Sequence, residues 1–403
     1  MTAESDTARP EPGSRVPEET TRRGPAVLLG SKPAEGYETL ARLGVPFIWV
    51  VDPVDEPPTT VPGAVRVVSA PFKSDPLSVL RLPLPPDVCG VLSFTEMGSL
   101  PAALLAEALG LPTVPVRAVL RARNKLLMRR TLAAVFDGPA FGVVGLDEPA
   151  ADDFPLIAKP AEGTGSQGVE FLADPAAFAA RSAELAGALW EHYVDGPEYS
   201  IEAVSSGGVH HILGITAKRT TGAPYFVETG HEVPAVLTED ADRAIRGCVE
   251  RCLDVLELTA GASHTEVKLE HGRAVVIETH TRAGGDRIPL LTRLVSGVDQ
   301  YELAVRSVLP RVEPLTRAPR FKHAAVHYFP WQDVTVDGVE GLDACRASDG
   351  VVEAELRAVD GESVPVWRYS HERPGHVVAG ADDRDELRRR IAAAENLVRP
   401  RLS

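Results

Sequence analysis

Two stretches of this chain carry residues whose types and spacing could do chemistry. The first is His264-Thr-Glu266-Val-Lys268-Leu, followed across the turn His271-Gly272 by Val276-Ile-Glu278-Thr-His280. A hairpin over Ser263–Glu270 and Arg273–Thr279 sets Glu266 near a position facing Glu278. Strand alternation puts Glu266 and Lys268 on one face, and Val276, Glu278 and His280 on the matching face of the partner. Two carboxylates held this close repel unless a cation lies between them. Magnesium takes one or two carboxylates together with substrate phosphates, so the pair suits a metal-bound nucleotide. Arg282 follows directly, and its planar guanidinium suits a phosphoryl group or a carboxylate.

The second stretch is Lys159 and the glycine-rich run Gly163-Thr-Gly165-Ser166-Gln167-Gly168. Its spacing fits the dinucleotide-binding pattern literally, but that pattern needs a following helix to hold the pyrophosphate. Here β-like residues, Val169–Leu172, follow, and no Gly-Lys-Ser/Thr makes a Walker loop. The run reads instead as a hairpin whose N–H groups form an anion-binding concavity, with Lys159 as a point charge for phosphate.

Elements must position both stretches. Residues 1–24 are polar and proline-rich and read as a disordered tail. From Ala26–Leu29, strand and helix alternate: a helix near Glu35–Leu43, strands at Phe47–Val51, Val65–Val68 and Gly90–Phe94, then a helix over Leu100–Leu109. That order predicts a parallel α/β sheet over residues 25–115. Val119–Val135 carries helical spacing and Phe154–Lys159 is a strand. Phe178–Leu189 reads as a helix, and Trp190–Val194, Tyr199–Val204, His210–Lys218 and Tyr225–Glu228 as strands. Asp240–Leu258 is an amphipathic helix and Asp299–Val308 another. Beyond Arg317, strands Lys322–Tyr328, Gly350–Leu356 and His376–Ala381 precede the helix Arg384–Leu397. The divisions expected are 116–312 for a central domain, with a lid near 140–192, and 313–403 for an α+β region rich in strands.

With 403 residues the chain exceeds what one core supports, and its 25% charged, 44% hydrophobic composition is that of a soluble globular protein. A net charge of −15 argues against a nucleic-acid surface. Four cysteines are too few for a disulfide framework, and Cys248 and Cys252 fall on an apolar helix stripe that reads as core. No apolar run reaches membrane-span length, and no leader is apparent, so a cytoplasmic protein without membrane or nucleic-acid partners is expected.

In order along the chain, these segments resemble the ATP-grasp superfamily: Asn124-Lys125…Arg129, Phe154-Pro-Leu-Ile-Ala-Lys159-Pro, the glycine hairpin, Trp190-Glu191-His-Tyr193-Val194-Asp-Gly196-Pro-Glu198, and the Glu266/Glu278 hairpin. The resemblance implies a mixed α/β and α+β ATP-grasp fold, in which a parallel α/β domain precedes a nucleotide clamp of two subdomains and a β-rich C-terminal region. It further implies that Lys125, Lys159 and Gly163, Gly165, Ser166, Gln167 and Gly168 meet ATP phosphates. Glu191, Tyr193 and Val194 would border adenine, Glu198 would bind ribose, and Lys268 would belong to the same nucleotide site. Glu266 and Glu278 would bind Mg2+, with Mn2+ an admissible substitute. His280 stands where members often carry Asn as a third ligand, a departure because neutral imidazole suits magnesium poorly.

Tyr225-Phe-Val-Glu228-Thr-Gly230-His231-Glu-Val-Pro234 and Arg282-Ala-Gly284-Gly285-Asp286 are similar to L-amino acid ligases. That similarity implies catalytic and substrate roles for Glu228, His231 and Arg282, and close substrate approach at Gly284 and Gly285. The expected activity is ADP-forming joining of a carboxylate to an amine through an acyl phosphate, on small-molecule substrates, in a chain that could pair as a homodimer. The alternatives are another ATP-grasp ligase, of purine-biosynthesis or carboxylase type, and a nucleotide-binding module without catalysis.

Overall fold

A computed structural model describes residues 24–402 except 32, 57–59, 164, 311 and 358–360. The tail expected over 1–24 therefore lies outside the described residues, apart from Gly24. The apolar runs of Ala26–Leu29 and Phe47–Val51 are buried throughout, as strands covered on both faces must be. They form the centre of a four-stranded parallel sheet, with Ala64–Ser69 on one edge and Val91–Ser93 on the other. Helix Glu96–Ala108 starts one turn earlier than its apolar pattern indicates, because Thr95 caps it by accepting from the Gly98 N–H at 2.9 Å.

The rest of the molecule is organised by an eight-stranded antiparallel sheet. Its order is Arg273–His280, Ala260–Glu270, Glu198–Ser206, Val209–Thr220, Glu228–Val233, His323–Tyr328, Gly375–Ala381 and Val351–Leu356. The last three strands come from the C-terminal region, so one sheet runs unbroken across residue 313. Helix Glu239–Val255 packs Ile245, Val249, Cys252 and Leu253 against Ile201, Ile215, Val267 and Val276 of this sheet. The two thiols on that helix are core residues, as their spacing indicates. On the other face, Tyr301 and Val305 of helix Gln300–Val308 join Val204 and Ala262 to the core of the parallel sheet. A separate small sheet, Phe141–Val143, Leu189–His192, Leu156–Lys159 and Glu170–Leu172, carries the glycine run. No helix among the described residues is long and apolar enough to cross a membrane.

Several sequence expectations need correction. The helix expected over Val119–Val135 is two, Val116–Arg123 and Lys125–Ala133, broken at Asn124, whose side chain accepts from the Leu127 N–H at 2.9 Å. Asparagine competes for backbone donors in this way at helix starts. The helix expected over Phe178–Leu189 ends at Arg181, because Leu189 is drawn into the small sheet. The strand expected at Tyr225–Glu228 starts only at Glu228, since Phe226 adopts φ 53° and its N–H donates to Gly222 O in a turn. Helix Ile288–Ser296, strands Val334–Glu340, Glu362–Val364 and Arg399–Leu402, and the short helix Leu342–Arg346 were not foreseen.

The face of Val276 is also corrected. Glu266 does pair with Glu278, but Val267 pairs with Val276, so Ile277 is an extra residue in a β-bulge. The bulge turns Val276 into the core beneath the sheet, beside Val267, and leaves Ile277 and Glu278 bordering the same cavity.

Candidate active site

One cavity of about 350 Å3 lies between the eight-stranded sheet and the glycine-bearing sheet. Its floor is built by strand register. Glu266 faces Glu278 on the hairpin, Lys268 lies opposite Glu198, and Lys218 lies opposite His231. Each carboxylate of the hairpin pair is held by one lysine and one histidine. Glu266 meets Lys218 Nζ at 2.5 Å and His264 Nε2 at 3.3 Å; Glu278 meets Lys125 Nζ at 3.3 Å and His280 Nε2 at 3.0 Å. Burial alone would raise both carboxyl pKa values, but these neighbours overcome it: Glu266 is brought to about 2, and Glu278 well below the usual range.

The second nitrogens of the histidines are also committed. His264 Nδ1 lies 2.5 Å from Glu202, and His280 Nδ1 lies 2.8 Å from Glu96, which also accepts from Arg282 Nε at 2.9 Å. Burial opposes charge on both rings, yet the carboxylates raise His280 and take His264 up to about 10. Held in this way, His280 is a proton-bearing brace between Glu96 and Glu278 rather than a lone-pair donor. Glu266 and Glu278 are hard oxygen donors side by side in the cavity, a set that fits Mg2+.

At the roof, Lys159 Nζ and Arg129 Nε grip opposite oxygens of Glu191, each at 2.7 Å. Burial opposes its charge, but Arg129 and Lys159 bring the Glu191 carboxyl to about 2. Arg129 also donates to Val276 O at 2.9 Å and Ile277 O at 3.3 Å, fastening the small sheet to the floor hairpin. Lys125 does the same at the tip: its N–H donates to Ala161 O and its Nζ to Gly163 O, both at 2.7 Å. Lys268 donates to Val194 O at 3.0 Å and sits 4.5 Å over the Tyr193 ring. Ile157, Val169, Ile277 and Phe226 add apolar surface to this end.

The cavity gathers nearly every residue expected at the site. Gly163, Gly165, Ser166 and Gln167 border it, and a Cβ at Gly163 or Gly165 would meet nothing within 4 Å. Two glycines do not. Gly168 adopts φ +70° and lies against Pro160, and Gly284 packs where a Cβ would come 2.7 Å from His264 Nδ1. Gly284 is a packing glycine rather than a point of substrate approach; Gly285 does face the cavity.

Missed from the sequence were Lys218, Glu96, Asp286, Ser370 and Arg373. Lys218 is buried between Glu198 at 2.5 Å, Glu266 at 2.5 Å and Glu228 at 3.7 Å. Burial disfavours its charge, but the three carboxylates raise its pKa well above the ordinary value. Lysine is rare in this arginine-rich chain, and that rarity is the sequence signal that could have found it. At the far end Glu228 accepts from Ser370 Oγ at 2.7 Å, and Asp286 takes Arg373 Nη2 at 2.6 Å and Nη1 at 2.9 Å. His231 Nε2 lies 3.2 Å from Asp286.

Known proteins match this chain in sequence and fold. Residues 152–289 match the ATP-grasp domain, and residues 327–403 match the L-amino acid ligase C-terminal domain 2. Over 317 residues the chain is 27% identical to an uncharacterized protein of Sinorhizobium fredii, covering 74% of this chain and 65% of that protein. Over 278 residues it is 30% identical to carnosine synthase 1 of Gallus gallus, covering 60% of this chain and 30% of that protein. The chain thus spans less than two thirds of the length of either curated relative. The crystal structure of an L-amino acid ligase from Bacillus licheniformis has the same fold, with a TM-score of 0.80 at 23% identity over 95% of this chain and 100% of that one. The chain thus has the ATP-grasp fold, with residues 152–289 matching an ATP-grasp domain and residues 327–403 matching the C-terminal domain 2 of L-amino acid ligases.

Proposed function

We propose that the chain is an ADP-forming ligase that joins a carboxylate, such as that of an amino acid, to an amine through an acyl phosphate. One observation carries this reading. A single cavity has a facing carboxylate pair at its centre, lysines and a glycine loop at one end, and Arg282, Glu228 and Asp286 at the other. The names of carnosine synthase and alanine–anticapsin ligase among the relatives agree with amide formation.

In this reading the apolar surface of Ile157, Val169 and Ile277 and the backbone of 191–194 take adenine, and Glu198 takes ribose. Lys125, Lys159 and the N–H groups of the glycine loop hold the phosphates. Glu266 and Glu278 would hold Mg2+, which would supply neutralisation of phosphoryl charge. The substrate carboxylate attacks the γ-phosphate, giving ADP and an acyl phosphate. Arg282, fixed by Glu96, steadies the carbonyl oxygen while the amine attacks and phosphate leaves. The glycine loop closes to keep water from the acyl phosphate. Cytoplasmic ATP and small-molecule substrates suit this chemistry.

The test is incubation with ATP, Mg2+ and mixtures of L-amino acids, with ADP, phosphate and new amides quantified together. ADP and phosphate in step with an amide are expected. AMP and pyrophosphate would overturn the mechanism, and ATP binding without turnover on any mixture would leave a binding module in its place.

A further inference from the structure

The far end of the cavity is lined by groups that the chemistry above does not fully use. Glu228, Asp286 and His231 border it, with side chains 12%, 23% and 1% exposed, while Arg373 behind them is 3% exposed. Arg373 comes from the C-terminal segment and reaches both carboxylates: two bonds to Asp286, one to Glu228 O at 3.3 Å, and a contact to Glu228 Oε2 at 3.8 Å. Its guanidinium lies 3.6 Å from the centre of the Tyr328 ring, which fixes its plane. Ser370, three residues earlier, orients Glu228.

Charge does not balance at this wall. Glu228 and Asp286 bring two negative charges and Arg373 one positive charge. Lys218 is 3.7 Å from Glu228 but already lies 2.5 Å from both Glu198 and Glu266. One negative charge is left facing the cavity. Burial would favour protonating Asp286, but the bond from His231 and the Arg373 charge hold it well below the ordinary range, so it stays a carboxylate. His231 itself leaves Nδ1 without a hydrogen-bond partner among the described residues. Space for a ligand lies directly in front, since a Cβ on Gly285 would meet nothing within 4 Å.

The backbone shows the same investment. Asp286 and Arg287, neither a glycine, adopt φ 55° and 63°, a left-handed conformation that strains residues with a Cβ. Arg287 is bolted down by Glu35 at 2.8 Å, Glu353 at 2.7 Å and Glu355 at 3.2 Å, so the parallel sheet domain and the C-terminal strands together hold Asp286 in place. Strained residues fixed from several sides are characteristic of ligand clamps.

We propose that Glu228 and Asp286 form a seat for the ammonium group of the incoming amino substrate, with Arg373 the positioning residue that keeps both carboxylates turned to the cavity. This deepens the ligase reading and rests on it. The amine accepted is then one that is charged at neutral pH, as in an amino acid, and His231 acts through Asp286 rather than on substrate.

Hydroxylamine, uncharged at neutral pH, tests this because it takes the acyl group without needing an ammonium seat. The enzyme is assayed with ATP, Mg2+ and L-amino acids, with and without hydroxylamine, and amide and hydroxamate are counted. In Asp286→Asn the amide-to-hydroxamate ratio falls roughly 10- to 100-fold and KM for the amine rises by a similar factor, with KM for ATP little changed. Arg373→Lys loses less than Arg373→Met, and calorimetric binding of ATP and Mg2+ shows that each variant keeps its fold. An unchanged ratio in Asp286→Asn, or amide and hydroxamate falling together in both Asp286→Asn and Arg373→Lys, overturns the seat. A wild-type enzyme that makes neither ADP nor hydroxamate overturns the ligase reading first, and the seat with it.

Discussion

On the cavity floor, Glu266 and Glu278 are each gripped by a lysine and a histidine, and each histidine is gripped in turn by a further carboxylate. The described residues of the glycine loop above them are held more lightly, with Lys125 bonded to the carbonyls of Ala161 and Gly163. Ser166 turns through φ 58°, Gly165 through φ 68°, and side chains at Gly163 or Gly165 would touch nothing. The floor belongs to an eight-stranded sheet with a helix on each face; the loop hangs from four short strands. The contrast separates two tasks. Under the ligase reading proposed above, groups that must sit still while charge moves are over-determined, and groups that must close over a nucleotide have fewer contacts to break. Arg129 and Glu191 lie at the junction and pin the loop's sheet to the floor hairpin, while at its tip the loop is tied through Lys125 to Ala161 O and Gly163 O.

The largest effect is expected at that junction. Arg129→Leu strips a buried partner from Glu191 and two carbonyls of the floor hairpin, and should cost about 3–5 kcal/mol in urea unfolding. A loss under about 1 kcal/mol would mean that the two sheets are not fastened there. Next, Glu278→Gln should lower turnover roughly 10²–10³-fold while the unfolding midpoint holds, which would confine the floor's braced charges to catalysis. Turnover near wild type would remove the metal assignment.

Acid sharpens the same contrast. The Glu191 carboxyl is lowered from 4.5 to about 2, so its ionised form stabilises the fold fully above pH 4.5, and that contribution fades as pH falls toward 2. The stability gap between wild type and Glu191→Gln should therefore narrow by about 3 kcal/mol across that window; a gap independent of pH would show the junction to be uncharged. The smallest effect belongs to the loop. Gly165→Ala forces a side chain into φ +68°, costing about 1 kcal/mol locally. It should raise KM for ATP several-fold with little change in melting temperature. A large loss of melting temperature instead would make the loop part of the rigid frame.

The hairpin pair was legible because the two-residue turn His271-Gly272 sets strand register, and register decides which residues face each other. The bulge at Ile277 was not legible, because one extra residue is chosen by what the core and the cavity each demand of Val276 and Ile277. The parallel sheet could be read from its solid apolar runs. Helix Ile288–Ser296 was hidden behind Gly284, Gly285 and two residues with positive φ, which look like loop in any window. Lys218 and Glu266 are 48 residues apart, and Arg373 and Asp286 are 87 apart; only the closed sheet brings such partners together. Gly284 shows the opposite failure, a glycine assigned to substrate that is required by a histidine ring.

The unbroken sheet across residue 313 also limits how this gene can be shortened. Strand Glu228–Val233 has His323–Tyr328 as its outer neighbour. A product ending before that neighbour would present the backbone of residues 228–233 to solvent as an open edge, where a second chain can add itself. Trimming the chain before His323, about its last fifth, should therefore give a protein prone to aggregation, not a smaller nucleotide-binding unit.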